Sequence, residues 1–332
     1  AGKGPKAYLQ AALHADEIPG LLVIHKLMHR LDAADARGEI TGNIVLAPIA
    51  NPIGSSQRLF GELAGRYDQE SGGNFNRGYA DLAQQIADDI GPDLGDDVAE
   101  NTRLIRESAV KLLSQRPVAD EVEALKISLM QHAIDADIAL DLHCDFESIM
   151  HLYTGAPLWE QARDLAAYLG ARVSLLATVS GGNPFDEALS GLWWQLAELI
   201  PDRPIPSACM AATIELRGKA DVEEEQAEND ALALYYYLQS RGVISGEPPE
   251  PPALPGEATP LSGVEKVRAP IAGVVSYKRL PGDYVRKGDV LCTLFDITQY
   301  DAEKARLELR AHSEGILYAH RQDRLCRPGQ VL

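Results

Sequence analysis

The run Glu247-Pro248-Pro249-Glu250-Pro251-Pro252, followed by Leu254-Pro255-Gly256, admits neither a helix interior nor a central strand. Each proline fixes φ and removes a backbone donor, and a cluster of them favours a stiff, extended segment of polyproline type. The chain is therefore read as two domains, residues 1–246 and 261–332, joined by a linker over residues 247–260. At 332 residues and 45% hydrophobic, it can bury one large core and a smaller one.

Ahead of the linker, short apolar runs alternate with segments of helical spacing. Residues 7–13 read as a buried strand and residues 21–36 as a helix stopped by Gly38. Further strands are expected over 43–49, 138–143, 149–153, 172–178 and 210–216. Helices are expected over 97–115, 120–134, 158–169, 191–200 and 221–241, with Trp193-Trp194 as packing residues. This alternation predicts an α/β domain with a mixed, mostly parallel sheet and helices on both faces. The glycine-rich, polar stretch 54–78 is too long for a plain connection, and loops of that length are commonly functional.

Beyond the linker the sequence repeats. Ala269-Pro270-Ile271-Ala272-Gly273-Val274-Val275, reaching Gly288-Asp289-Val290-Leu291, recurs as Ala311-His312-Ser313-Glu314-Gly315-Ile316-Leu317, reaching Gly329-Gln330-Val331-Leu332. The offset is 42 at the first glycine and 41 at the last. Two such halves predict a small all-β sandwich with approximate two-fold symmetry. The stiff linker would hold it near the first domain, where it shapes or covers the pocket.

A net charge of −18 argues against nucleic acid or an anionic membrane surface as partner. No apolar run approaches the ~20 residues of a membrane span. Cys144, Cys209, Cys292 and Cys326 are far apart without a C-x-x-C pair, the pattern of reduced, buried thiols in a cytoplasmic protein. A homo-oligomer is compatible with all of this.

The chemistry gathers where strands end, which is where open α/β sheets keep their sites. His14 and Glu17, three apart before Pro19-Gly20, can reach one small cation from a tight turn. A third ligand from elsewhere would complete a His₂Glu zinc site with a position left open. His143 ends another strand, and Glu215 lies inside the apolar run Ile214-Glu215-Leu216, where a carboxylate is costly unless paired or functional. Asp141, two residues before His143 and on its strand face, suits an acceptor that fixes a histidine tautomer. The loop 180–187 carries Asp186 and Glu187, which could meet a basic substrate group. His25 and His29, four apart, read as a helix face.

The ordered set His14-x-x-Glu17, Asn76-Arg77, Asp141-Leu142-His143 and Thr213-Ile214-Glu215-Leu216 resembles the succinylglutamate desuccinylase/aspartoacylase family, related to zinc carboxypeptidases. The resemblance covers the whole chain, since several members also end in a β-sandwich. It implies a zinc carboxypeptidase-like fold and one zinc ion per chain, held by His14, Glu17 and His143. It implies Glu215 as the catalytic carboxylate, Asn76 and Arg77 on a substrate carboxylate, and a second arginine, Arg66 or Arg58, on the scissile carbonyl. Arg217 stands where some relatives have glycine, which implies a differently shaped pocket. The C-terminal repeat is similar to biotinyl/lipoyl-carrier domains, a barrel-sandwich of lipoyl-like type.

The activity implied is removal of the acyl group from a small N-acyl amino acid by zinc-activated water with Glu215 as general base. The residue types suit it, since Arg grips carboxylates bidentately and a carboxylate beside a metal can move protons. A metallocarboxypeptidase acting on short peptides is the alternative within the enzyme class. From another class comes a carrier or ligand-binding module without catalysis, with Lys304 in the place of a modified lysine but in a longer hairpin.

Overall fold

The computed structural model describes residues 4–332. Seven strands make the central sheet: β1 (Lys6–Ala11), β2 (Asn43–Ala47), β3 (Ile138–Asp145), β4 (His151–Thr154), β5 (Val173–Leu176), β6 (Met210–Gly218) and β7 (Ala258–Pro260). They lie in the order β7-β5-β4-β6-β3-β1-β2. Every neighbouring pair is parallel except β4 against β6. Helices α1 (Pro19–Ala36), α2 (Ala83–Ile90), α3 (Val98–Gln115), α4 (Glu121–Ala133), α5 (Trp159–Leu169), α6 (Phe185–Leu199) and α7 (Glu224–Ser240) cover it.

Period-two alternation sorts the strand side chains between two cores. Leu9, Leu140, Leu142, Ala212 and Ile214 pack with α1, α5 and α7. Tyr8, Leu13, Ala139 and Ala211 pack with α2, α3, α4 and α6, where Trp193 is buried. The sheet is thus mixed, mainly parallel and covered on both faces. At Gly20 a Cβ would lie 2.9 Å from Ala11 Cβ and 3.1 Å from Leu142 Cβ. Only glycine lets the start of α1 pass so close over β1 and β3.

Helices α3 and α4 begin one residue inside their expected bounds, because Asp97 and Asp120 are N-caps. Asp97 accepts from the N–H groups of Ala99 and Glu100, and Asp120 from that of Glu123. Helix α2 has no counterpart in the sequence reading; its two buried residues, Ala83 and Ile86, are too few for their spacing to stand out.

The proline-rich stretch does not run free. Pro249 accepts a hydrogen bond from the Tyr168 hydroxyl at 2.7 Å, and Ala258–Pro260 joins the sheet as the edge strand β7 beside β5. An edge position suits Pro260, which has no N–H to donate.

Past it, β8 (Gly273–Tyr277), β9 (Val290–Phe295), β10 (Arg306–Arg310) and β11 (Leu325–Cys326) form an antiparallel sheet in the order β10-β9-β8-β11. The repeat is visible in the pairing. Gly273 pairs with Cys326, and its equivalent Gly315 pairs with Val285. Likewise Gly329 N–H donates to Ala269 O at 2.7 Å, and Gly288 N–H donates to Ala311 O at 2.8 Å. This region docks on the main domain just beyond β3. Ala319 and His320 pair with Ser148 and Glu147, Ile149 N–H donates to Tyr318 O at 3.0 Å, and the Arg324 guanidinium grips both Glu147 oxygens.

Candidate active site

Strand β1 ends at Ala11, and Ala12 takes the left-handed conformation with φ +55°. That conformation is unfavourable for a residue with a Cβ and is found where function over-determines the backbone. The chain then turns: Glu17 N–H donates to His14 O at 3.0 Å, which brings the two side chains together. The loop 54–78 lies over this turn through Ala15 N–H donating to Gly65 O.

Three side chains converge here. His14 Nδ1 is 2.9 Å from Glu17 Oε1, and His143 Nδ1 is 2.8 Å from Glu17 Oε2. Their ligand atoms all lie within 4.8 Å of one another, and all three residues are buried. The opposite ring nitrogens have their own partners. His14 Nε2 is 2.9 Å from Asn74 Oδ1, and His143 Nε2 is 2.9 Å from Asp141 Oδ2. Both Nδ1 atoms thus lie against one carboxylate, close enough for the three residues to share a cation. Two nitrogens and a carboxylate oxygen are also a donor set that zinc favours. The residues therefore fit the metal.

Electrostatics follow from the same contacts. Burial would raise the Glu17 pKa, but His143 and His14 hold it well below the usual carboxylate range. Burial would lower the His143 pKa, but Asp141 and Glu17 on its two sides hold it well above the usual value. The Arg66 guanidinium adds a contact to Glu17 Oε1 at 2.6 Å, so Glu17 faces three cationic or donor groups besides the N–H of Cys144.

Glu215 is set directly beside this cluster. In the parallel pairing of β3 with β6 it is the register partner of His143, and on its other side it pairs with His151 of β4. Its Oε2 has no hydrogen-bond partner among the described residues. Burial, and then the charge of Glu17, push its pKa up to about 8.

The other expected residues divide. Asn76 Oδ1 accepts from the Phe185 N–H at 2.9 Å, and its Nδ2 lies 3.4 Å from His143 Nε2, so Asn76 ties the start of α6 to the site. Arg77 is exposed, lies against Gly182, and donates to its neighbour's carbonyl. Arg58 is exposed on the small hairpin of Arg58–Leu59 with Glu62–Leu63 and makes none of the contacts that Arg66 makes. His25 and His29 face each other on the exposed side of α1. Arg217 pairs its guanidinium with Asp230 on α7. Its φ of +62° explains why glycine suits that position. Lys304 is exposed and pairs loosely with Asp301 in the long connection from β9 to β10.

Several neighbours of the site escape sequence reading. Asn74 is one polar residue among many in its loop. His151 is fully buried, with Nδ1 2.8 Å from Ile149 O. Tyr318 packs edge-on against it from the C-terminal region, ring centroids 5.0 Å apart. The alternation His151-x-Tyr153 beside an expected strand was the available signal; nothing local marks Tyr318. A cavity of about 630 Å³ opens next to Tyr318, between the C-terminal strands and the sheet edge at Val173, Leu175 and Thr259. The four residues His14, Glu17, His143 and Glu215 do not line it.

Fold and site together define an α/β protein with a candidate three-ligand metal site at the carboxyl ends of its central strands. The chain belongs to the succinylglutamate desuccinylase/aspartoacylase family, a family of deacylases: its catalytic-domain model matches residues 3–189. Glu215 lies beyond that match. Among solved structures, a protein from Shewanella amazonensis SB2B named for this family is 29% identical, with a TM-score of 0.85 over 100% of this chain and 90% of the other. One from Shewanella frigidimarina NCIMB 400 is 28% identical, with a TM-score of 0.88 over 99% and 88%. A third, from Rhodobacter sphaeroides, is 19% identical with a TM-score of 0.65 over 100% and 85%, a likeness of fold. No curated protein matches. No helix among the described residues is long and apolar enough to cross a membrane.

Proposed function

We propose that this protein is a zinc-dependent amidohydrolase that removes the acyl group from a small N-acyl amino acid. The observation that carries the reading is the pairing of Glu215 with His143 in adjacent strands, which sets an unpaired carboxylate against three converging metal donors.

His14, Glu17 and His143 would hold one zinc ion per chain through two Nδ1 atoms and the carboxylate. Bound zinc lowers the pKa of water towards ~7 and polarises a carbonyl. Asp141 and Asn74, each with an oxygen 2.9 Å from an Nε2, would fix both tautomers. Glu215 takes a proton from the attacking water and delivers it to the leaving amine nitrogen, the role of a general acid–base carboxylate. Arg66, whose guanidinium already reaches over Glu17, supplies positive charge where the scissile carbonyl oxygen becomes an oxyanion. Asn76 and Arg77 take the substrate carboxylate, with Arg58 outside the contact. In this reading residues 1–246 form the zinc carboxypeptidase-like catalytic domain. Residues 247–260 connect it to a lipoyl-like sandwich over 261–332.

The test is a panel of N-acetyl and N-succinyl amino acids alongside dipeptides, assayed with zinc-loaded protein and with protein stripped by chelator. The reading predicts zinc-dependent release of a free amino acid from the acyl substrates. Cleavage of dipeptides alone would make the protein a peptidase instead.

A further inference from the structure

Helix α1 buries Val23, Ile24, Leu27, Leu31 and Ala34 and leaves His25 and His29 exposed on its outer side. Four positions apart on a helix, two side chains are neighbours one turn from each other. Here the rings turn together. The two Nε2 atoms are 3.3 Å apart, the ring centroids 4.6 Å apart, and the ring planes cross at 82°. Neither ring has another hydrogen-bond partner among the described residues.

The separation decides between two chemistries. A good hydrogen bond from a nitrogen donor spans about 2.9–3.0 Å, so 3.3 Å is long for a direct bond between imidazoles. Zinc takes imidazole nitrogen at about 2.0–2.1 Å in tetrahedral geometry, which sets two nitrogens on one ion about 3.3–3.4 Å apart. The pair therefore already has the spacing of two corners of a tetrahedron. With its proton on Nδ1, each ring offers an Nε2 lone pair. The two cations adjoining these histidines in sequence are engaged elsewhere: Lys26 pairs with Glu224 and Arg30 with Glu228, both on α7. Their charge is thus compensated locally, and the helix backbone between the rings is fixed.

We propose that His25 and His29 form a second zinc site on the surface of α1, with two protein donors and water in the remaining positions. It shares no residue with His14, Glu17 and His143 and does not depend on the deacylase reading. Two exposed donors hold an ion less firmly than three buried ones. This site therefore fills only when zinc is in excess, and it empties when unbound metal is removed.

The experiment titrates zinc into full-length, metal-stripped protein at pH 7.5, with heat of binding and the imidazole NMR signals followed together. The parent should take up two zinc ions per chain, one tightly and one more weakly. His25→Ala and His29→Ala should each weaken the second step by on the order of 10²-fold, the worth of linking two donors. The first step and the melting temperature should not change in either variant. His143→Ala should keep the weaker step, with the His25 and His29 ring signals shifting together as zinc is added. If both single substitutions leave every binding step unaltered, or the two rings do not respond to zinc, the proposal is overturned. A parent that binds one ion, lost in His25→Ala and kept in His143→Ala, would uphold this site and refute the buried ligand set instead.

Discussion

The carboxyl ends of β1, β3 and β6 and the C-terminal strands handle charge in opposite ways. In the first region the charges are buried and compensate one another: Glu17 sits between His14, His143 and Arg66, with Glu215 unpaired alongside. In the second they lie at the surface in short local pairs, such as Glu308 with Arg306 and Arg310 on β10. Buried charges are expensive unless geometry satisfies them, while exposed pairs contribute little. A change of one atom should therefore be felt strongly in the first region and hardly in the second, and each substitution below tests that contrast.

The largest effect is expected at His143. His143→Ala removes one of the three donors and leaves Glu17 and Asp141 facing each other without the imidazole between them. Zinc content should fall from about one per chain to near zero, with activity lost. Elemental analysis checks it, and equal metal in both proteins would remove His143 from the ligand set.

Next comes Arg77→Lys, which keeps the charge but loses the bidentate fork. We expect KM for acyl amino acids to rise on the order of tenfold while the melting temperature is unchanged. If a substrate ester without the free carboxylate loses as much, Arg77 does not hold that carboxylate.

A smaller effect is expected at the docking region. His320 is 5% exposed, stacks on Tyr277, and lies 3.0 Å from Glu147. Burial lowers its pKa from 6.5, Glu147 acting against the shift and Arg324 with it. The unfolded chain thus binds this proton more tightly than the native one. The contribution to stability is complete above pH 6.5 and is lost as the pH falls below it. Melting temperature followed from pH 8 to 5 should drop less steeply in His320→Gln than in the unaltered protein; parallel curves would refute the assignment. The smallest effect is predicted for Arg306→Ala on the exposed strand β10, where melting temperature and kcat should stay within error of the parent.

The same contrast decides how much could be read from the sequence. His14, Glu17, His143 and Glu215 were legible because each is a polar residue in or at the end of an apolar run. Asp141 was legible from strand alternation, and the C-terminal symmetry from a repeat whose equivalent residues pair equivalently. Asn74, His151 and Tyr318 were not, because their roles depend on which segments meet in space; Tyr318 lies 167 positions beyond His151 in the chain. Strand β7 was hidden by its prolines, since an edge position tolerates what a central strand does not. The choice of Arg66 over Arg58 as the arginine touching Glu17 also needed the fold, because both sit in one irregular loop.

The central claim is that Glu215 moves the proton beside a metal it does not bind, and Glu215→Gln tests it most directly. The substitution keeps the shape of the side chain but removes its capacity to accept a proton. Measured together on the parent and the variant, kcat, zinc content and melting temperature should show kcat lower by on the order of 10²–10⁴, with the other two unchanged. Activity within a few-fold of the parent would mean that another group is the base, and loss of zinc would make Glu215 a ligand.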